Sequence, residues 1–159
     1  MKKLMMIAAM VLMSTGAFAQ EAGMKAVGAT FSEYLLSSSR LGLGAKAQYS
    51  FTDNIRAEVD FKFYPKSNSN MVNPTISGQY LFPIIDKLYV YPFAGIGLLT
   101  AVDTDLNTMS MFCFKTGAGA EYFITDQFKG IFETYYQVAK KDGYSFNRPI
   151  ISIGAAYIF

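Results

Sequence analysis

Ile55-Arg56-Ala57-Glu58-Val59-Asp60-Phe61-Lys62-Phe63-Tyr64 alternates between two kinds of residue along its whole length. In an extended chain Ile55, Ala57, Val59, Phe61 and Phe63 fall on one side. Arg56, Glu58, Asp60, Lys62 and Tyr64 fall on the other. A helix would scatter both sets around its circumference, whereas a strand separates them. The stretch therefore predicts a strand with one apolar and one polar face.

The design repeats on either side. Leu41, Leu43, Ala45, Ala47, Tyr49 and Phe51 oppose Arg40, Gly42, Gly44, Lys46, Gln48 and Ser50. At the end of the chain Ile151, Ile153, Ala155, Tyr157 and Phe159 oppose Ser152, Gly154 and Ala156. The pattern predicts eight strands, at 24–32, 40–51, 55–64, 72–82, 88–100, 109–124, 128–139 and 148–159. A strand crossing a bilayer at a tilt of ~45° needs about 9–11 residues, and strands of soluble proteins are nearer five or six. Lys25-Val27-Ala29-Phe31 suits either face, the run from Leu88 to Leu99 carries large residues on both, and Pro74 and Pro92 fall inside predicted strands.

Four runs close on a tyrosine followed two residues later by a bulky apolar residue: Tyr49 with Phe51, Tyr80 with Phe82, Tyr122 with Ile124, and Tyr157 with Phe159. Three of these lead into predicted tight turns, Thr52-Asp53-Asn54, Pro83-Ile84-Ile85-Asp86-Lys87 and Thr125-Asp126-Gln127. The other connections read as longer polar loops: Glu33 to Ser39, Pro65 to Met71, Ala101 to Thr108, and Lys140 to Asn147. Short turns at one rim and longer loops at the other is the layout of a transmembrane barrel, and an aromatic ring at one level suits a membrane interface. The predicted girdle is Tyr49, Phe51, Tyr80, Phe82, Tyr122, Tyr157 and Phe159, on the periplasmic side.

Alternation alone leaves open which face meets the barrel centre. A soluble ligand-binding barrel turns its apolar face inward; a membrane barrel turns it to lipid. Gly42, Gly44, Gly117, Gly119 and Gly154 lie on the polar face, where small residues suit a narrow interior. The aromatics gather at strand ends on the apolar face. Both features favour the membrane reading. The interior then holds Lys46, Arg56, Lys62, Lys115 and Lys129 with Glu58, Asp60, Glu121 and Glu133. Eight strands leave only enough room for side chains to fill, so these nine predict a plugged, ion-paired lumen.

The N-terminus reads as a secretory signal over residues 1–19, with Lys2 and Lys3 before the apolar run Leu4 to Met13 and a small-x-small site at Ala17-Phe18-Ala19. Residues 20–159 form the barrel domain. The chain has 14 basic and 12 acidic residues; removing Lys2 and Lys3 leaves 12 against 12. No basic patch remains to argue for nucleic acid. The lone Cys113 excludes an internal disulfide.

Ser152, Gly154, Tyr157 and Phe159 fill the four slots of a terminal pattern (polar, x, Gly, x, x, aromatic, x, aromatic) that resembles the assembly signal of Gram-negative outer-membrane barrels. With the signal peptide and the eight runs, the whole mature chain resembles the small eight-stranded family typified by outer membrane protein X and the barrel domain of outer membrane protein A. The resemblance implies an all-β, eight-stranded antiparallel up-and-down transmembrane β-barrel in the cell outer membrane. It also implies insertion by the barrel assembly machinery and contact with outer-membrane lipid and lipopolysaccharide. The chain departs from the family in having no Trp, loops of about seven or eight residues by the reading above, and no peptidoglycan-binding segment after Phe159.

The enzymes among such barrels resemble one another in needing histidine, and this chain has none. Glu58 with Asp60, or Glu121 alone, could serve acid–base work, but ion pairing is the simpler role on an inward face. Asp103 and Asp105 form a weak Ca²⁺ candidate. Cys113 reads as a small filler. Gly95-Ile96-Gly97 and Gly117-Ala118-Gly119 sit mid-strand with no following helix, unlike phosphate loops. The lysines of Lys140-Lys141-Asp142-Gly143-Tyr144-Ser145-Phe146 are placed to meet lipid phosphates. The sequence thus predicts a non-enzymatic barrel without cofactor, a monomer or a small subunit of a larger outer-membrane complex, serving envelope integrity or protein interaction. A narrow porin-like channel and a soluble periplasmic ligand-binding barrel are the alternatives.

Overall fold

The computed structural model describes residues 22–35, 40–66, 69–103, 108–141 and 143–159. The signal segment 1–19 and Asp105 lie outside them, as does the side chain of Asp103. Nine strands follow in chain order: β1 (Lys25–Tyr34), β2 (Arg40–Ser50), β3 (Ile55–Tyr64), β4 (Ser69–Tyr80), β5 (Phe82–Ile85), β6 (Leu88–Asp103), β7 (Thr108–Phe123), β8 (Phe128–Lys141) and β9 (Tyr144–Ile158). Every pairing is antiparallel, β9 returns to β1, and β4 pairs with β6 to close the ring. Closure removes the exposed edges that an open sheet of this length would present.

Nine strands make eight staves, because β5 continues β4. Gln79 faces Phe93 and Phe82 faces Val90 in one unbroken register. Pro92 stands opposite the gap. Its ladder to β7 is intact at Ala118, so the donor that proline lacks is missing on the β4 side. Asn54 stitches the gap: its carbonyl accepts from the Leu81 N–H at 2.7 Å and its side-chain amide donates to the Leu81 carbonyl at 2.9 Å. Pro74 acts on the same seam. Its pairing with Phe61 of β3 holds, while the ladder to β6 lapses between Val72 and Thr75. The Asn73 side chain donates to the Leu98 carbonyl at 2.9 Å, in place of the N–H that Pro74 does not have.

Two turns share one hydrogen-bond plan. Thr52 Oγ1 accepts from Ile55 N at 2.9 Å and Thr125 Oγ1 accepts from Phe128 N at 3.0 Å. Each turn also returns a strand-end N–H, from Phe51 to the Ile55 carbonyl and from Ile124 to the Phe128 carbonyl. The third turn differs from expectation. Phe82 to Ile85 is strand, with a bulge between Pro83 and Ile85, and the reversal is confined to Asp86-Lys87, where Lys87 has φ 70°.

The outer connections are also shorter than the sequence suggested. β8 runs to Lys141 and β9 starts at Tyr144, with Lys141 opposite Tyr144. Most of the expected loop Lys140 to Asn147 is therefore strand, with Gly143 at φ +86° before β9.

Alternation sorts the two faces. Val59, Phe61, Ile76, Ile96, Phe112, Phe132 and Ile153 are among the large apolar residues that point outward and are exposed. In β1, Val27 and Phe31 point outward and Ala26, Thr30 and Ser32 inward; in β6, Ile96 and Leu98 point outward. The soluble reading needs the apolar face inside and is contradicted. The inside is not purely polar, however. Tyr34, Tyr64, Tyr89, Tyr91, Phe93, Phe123 and Tyr135 are buried within it, which explains why β6 carries large residues on both faces.

Candidate functional site

The nine predicted interior charges come together as three tiers along the axis. Successive inward positions of β3 set their order: Arg56 nearest the turn at Asp53, then Glu58, then Asp60 and Lys62. In the first tier one guanidinium nitrogen of Arg56 donates to both oxygens of Glu121, at 2.9 and 2.8 Å, and Lys129 donates to the same carboxylate at 3.0 Å. In the second, Lys46 lies 3.0 Å from Glu58 and 2.9 Å from Glu133. Gln48 donates to Glu58 at 2.8 Å and Tyr91 to Glu133 at 3.0 Å. In the third, Asp60 takes both Lys115 and Lys62, the latter at 3.5 Å.

All nine side chains are almost wholly buried. A buried ion left alone would cost several kcal/mol of desolvation, roughly the penalty that such pairing offsets. Three of the six ion pairs join opposite walls rather than neighbouring strands. Lys46 on β2 reaches Glu133 on β8, and Arg56 on β3 reaches Glu121 on β7. Above the third tier Asn73 donates to Cys113 Sγ at 3.3 Å and accepts from Gln137 at 3.1 Å. Cys113 is thus a buried filler within a polar tier. The lumen is occupied by side chains at each level described.

Aromatic rings fill what the ions leave. Arg56 lies 5.0 Å from the centroid of Tyr91, and Lys129 5.5 Å from that of Phe123. Small residues make the space. A Cβ at Gly119 would stand 2.5 Å from the Tyr91 ring, and one at Gly42 2.3 Å from the Tyr64 ring. The predicted inward glycines are thus in part seats for tyrosines, which composition alone did not reveal.

At the turn-bearing rim, Tyr49, Phe51, Tyr80, Phe82, Tyr122, Tyr157 and Phe159 all point outward and are exposed. They pack in neighbouring pairs: Tyr49 with Phe51 at 5.1 Å and Tyr80 with Phe82 at 4.8 Å between centroids. Phe128, missed in the sequence, joins them at 5.1 Å from Tyr157. Its signal was its place immediately after Thr125-Asp126-Gln127, matching Ile55 after Thr52-Asp53-Asn54. The terminal pattern divides between the two faces. Ser152 is buried and takes a 2.9 Å hydrogen bond from Ser32 across the closing seam, and Gly154 faces Thr30 there. Tyr157 and Phe159 point outward, with Phe159 N–H bonded to the Lys25 carbonyl at 3.0 Å.

Glu58 and Asp60, the acid–base candidates, are each engaged by cations, as is Glu121. No group of three His, Cys, Asp or Glu side chains that could hold a metal occurs among the described residues. Gly95 and Gly97 lie in β6 against the β4 backbone.

The chain matches the outer membrane protein beta-barrel domain family over residues 5–159. No curated relative matches. Among solved structures, the N-terminal β-barrel domain of Pseudomonas aeruginosa OprF superposes with a TM-score of 0.69 at 18% identity, covering 88% of this chain and 100% of that one. Neisserial surface protein A gives 0.70 at 18% identity, with 87% and 98% covered. Pseudomonas aeruginosa outer membrane protein OprG gives 0.61 at 13%, with 91% and 99% covered. At these identities the likeness is one of fold.

Proposed function

The chain belongs to the outer membrane protein beta-barrel domain family, and from that membership we propose that it is a non-enzymatic, monomeric outer-membrane barrel that reinforces the envelope and does not conduct. The observation that carries this reading is the cross-lumen network, in which all nine interior charges are engaged and none is left to line a water path. Its outward apolar belt meets outer-membrane lipid and lipopolysaccharide. The girdle of Tyr49, Phe51, Tyr80, Phe82, Tyr122, Tyr157 and Phe159 marks the periplasmic interface. Ser152, Gly154, Tyr157 and Phe159 form the segment that the barrel assembly machinery reads after export by residues 1–19.

A strain lacking the protein tests the role. Envelope reinforcement predicts greater sensitivity to detergents with small-solute uptake unchanged. Slower uptake with an intact detergent barrier would favour the narrow-channel alternative instead.

A further inference from the structure

The two carboxylates of β3 each spend one oxygen on the ion network and leave the other bare. Glu58 Oε2 accepts from Lys46 at 3.0 Å and from Gln48 at 2.8 Å, and Asp60 Oδ2 pairs with both Lys115 and Lys62. The second oxygens, Glu58 Oε1 and Asp60 Oδ1, have no hydrogen-bond partner among the described residues. The neighbouring strand repeats the condition: Ser77 Oγ and Thr75 Oγ1 on β4 are buried and unpartnered too. The register sets Ser77 opposite Glu58 and Thr75 opposite Asp60. Four bare oxygens thus form two facing pairs on one stretch of inner wall, on residues only 1–4% exposed.

Buried polar atoms are normally satisfied. An ionised carboxylate oxygen can only accept, and a hydroxyl has one proton to give. Side chains directly opposite in an antiparallel pair have Cβ atoms about 4.5–5.5 Å apart. Oxygens that face each other there without touching leave the separation that one bridging molecule spans. Charge decides which molecule. Lys46, Lys62 and Lys115 stand against Glu58, Asp60 and Glu133. These charges already balance, so a metal ion would enter with nothing left to neutralise it. The bare atoms need donors, and the ligand is therefore small and neutral.

We propose that this wall binds two ordered waters, one bridging Glu58 Oε1 to Ser77 Oγ and one bridging Asp60 Oδ1 to Thr75 Oγ1. Each donates one proton to its carboxylate and shares a second hydrogen bond with its hydroxyl. Leu81, Tyr89, Phe123 and Ile131 are buried toward the turns, and Tyr64, Leu99 and Ile150 toward the other end. The waters are therefore enclosed and open no path. They also act where β4 is least supported by its ladder to β6, which lapses between Val72 and Thr75 and breaks again at Leu81. Through them the middle of β4 is tied to the carboxylates of the ion network.

The test uses the full mature chain in detergent micelles. Oxygen-17 relaxation dispersion of the solvent counts waters held longer than the micelle takes to tumble. The unaltered protein is expected to hold two or more. Ser77→Ala and Thr75→Val each remove one bridged hydroxyl. Each is expected to lower the count by about one and to lower the urea midpoint of unfolding. Ser110→Ala removes an exposed hydroxyl that bonds to Thr100 and leaves the count unchanged. Fewer than two long-lived waters in the unaltered protein overturns the proposal. So does a count unchanged in both lumen variants, or one that falls equally in Ser110→Ala. A raised midpoint in both lumen variants also overturns it, because a dry wall gains when an unmet hydroxyl is removed. Heat-modifiable gel mobility reports whether each variant is folded. Should Thr75→Val not fold, Ser77→Ala decides by the same readings.

Discussion

Lys62 on β3 donates a 2.7 Å hydrogen bond to the phenolic oxygen of Tyr135 on β8. Those strands are four places apart whichever way the eight-stave ring is followed, so the bond crosses the full width of the lumen. With the tiers beneath it, this contact makes the interior a packed core turned inside out: polar and aromatic within, apolar toward lipid. The stability of the fold and the impermeability we propose for it then have the same source.

The Glu121 carboxylate takes both Arg56 and Lys129 in the first tier. Glu121→Gln leaves two buried cations facing a neutral amide. The expected cost is about 3–5 kcal/mol, the range for removing one partner of a buried pair. Urea unfolding in micelles, followed by tyrosine fluorescence, measures it. A loss under about 1 kcal/mol would place the pair in the class of weak surface bridges.

Gly119→Ala drives a methyl to within 2.5 Å of the Tyr91 ring and is expected to cost about 1–3 kcal/mol through overpacking. Gly78 provides the control, since a Cβ there meets nothing within 4 Å. Gly78→Ala should be neutral or stabilising by about 0.5–1 kcal/mol. Equal effects at the two positions would show that the tyrosine seat carries no packing significance.

The lipid-facing reading predicts that the cost of a charge depends on depth. Val59 lies mid-strand and outward, and Phe51 sits at the turn-bearing rim. Val59→Arg is expected to lose about 2–4 kcal/mol and Phe51→Arg about 0–1 kcal/mol in vesicles. Unfolding titrations in phospholipid vesicles check this, and a reversed order would misplace the membrane belt.

Phe159 is two-thirds exposed, at 66%, and its backbone N–H bonds to the Lys25 carbonyl of β1. Deleting it should barely change refolding in micelles. It should sharply reduce the fraction of protein that reaches the outer membrane in cells, if the terminal segment serves assembly. Fractionation followed by blotting reads both, and undiminished delivery would remove the signal role.

How much of this was legible in the sequence depends on how strictly each strand alternates. In β2 and β3 the two faces differ in polarity at nearly every position, so strand, register and inward charges could all be read from Arg40 to Tyr64. In β6 they could not, because Tyr89, Tyr91 and Phe93 point inward on the strand whose Ile96 and Leu98 point to lipid; polarity does not distinguish ring-filled lumen from membrane. Which cation meets which carboxylate was equally hidden. Lys46 finds Glu133 87 residues away, and only closure of the ring brings β2 and β8 within reach. The split at Leu81 followed from Pro92 on another strand, a non-local cause. The strand ends at Lys141 and Tyr144 were hidden by polar residues that read as loop.

Single-channel recording in planar bilayers tests the central claim most directly. With the lumen bridged from Arg56 up to Tyr135, the purified protein should insert and show no discrete conductance steps. Reproducible steps from the folded, heat-modifiable form would contradict the account, because they would require a continuous water path through a core that the ion pairs and tyrosines fill.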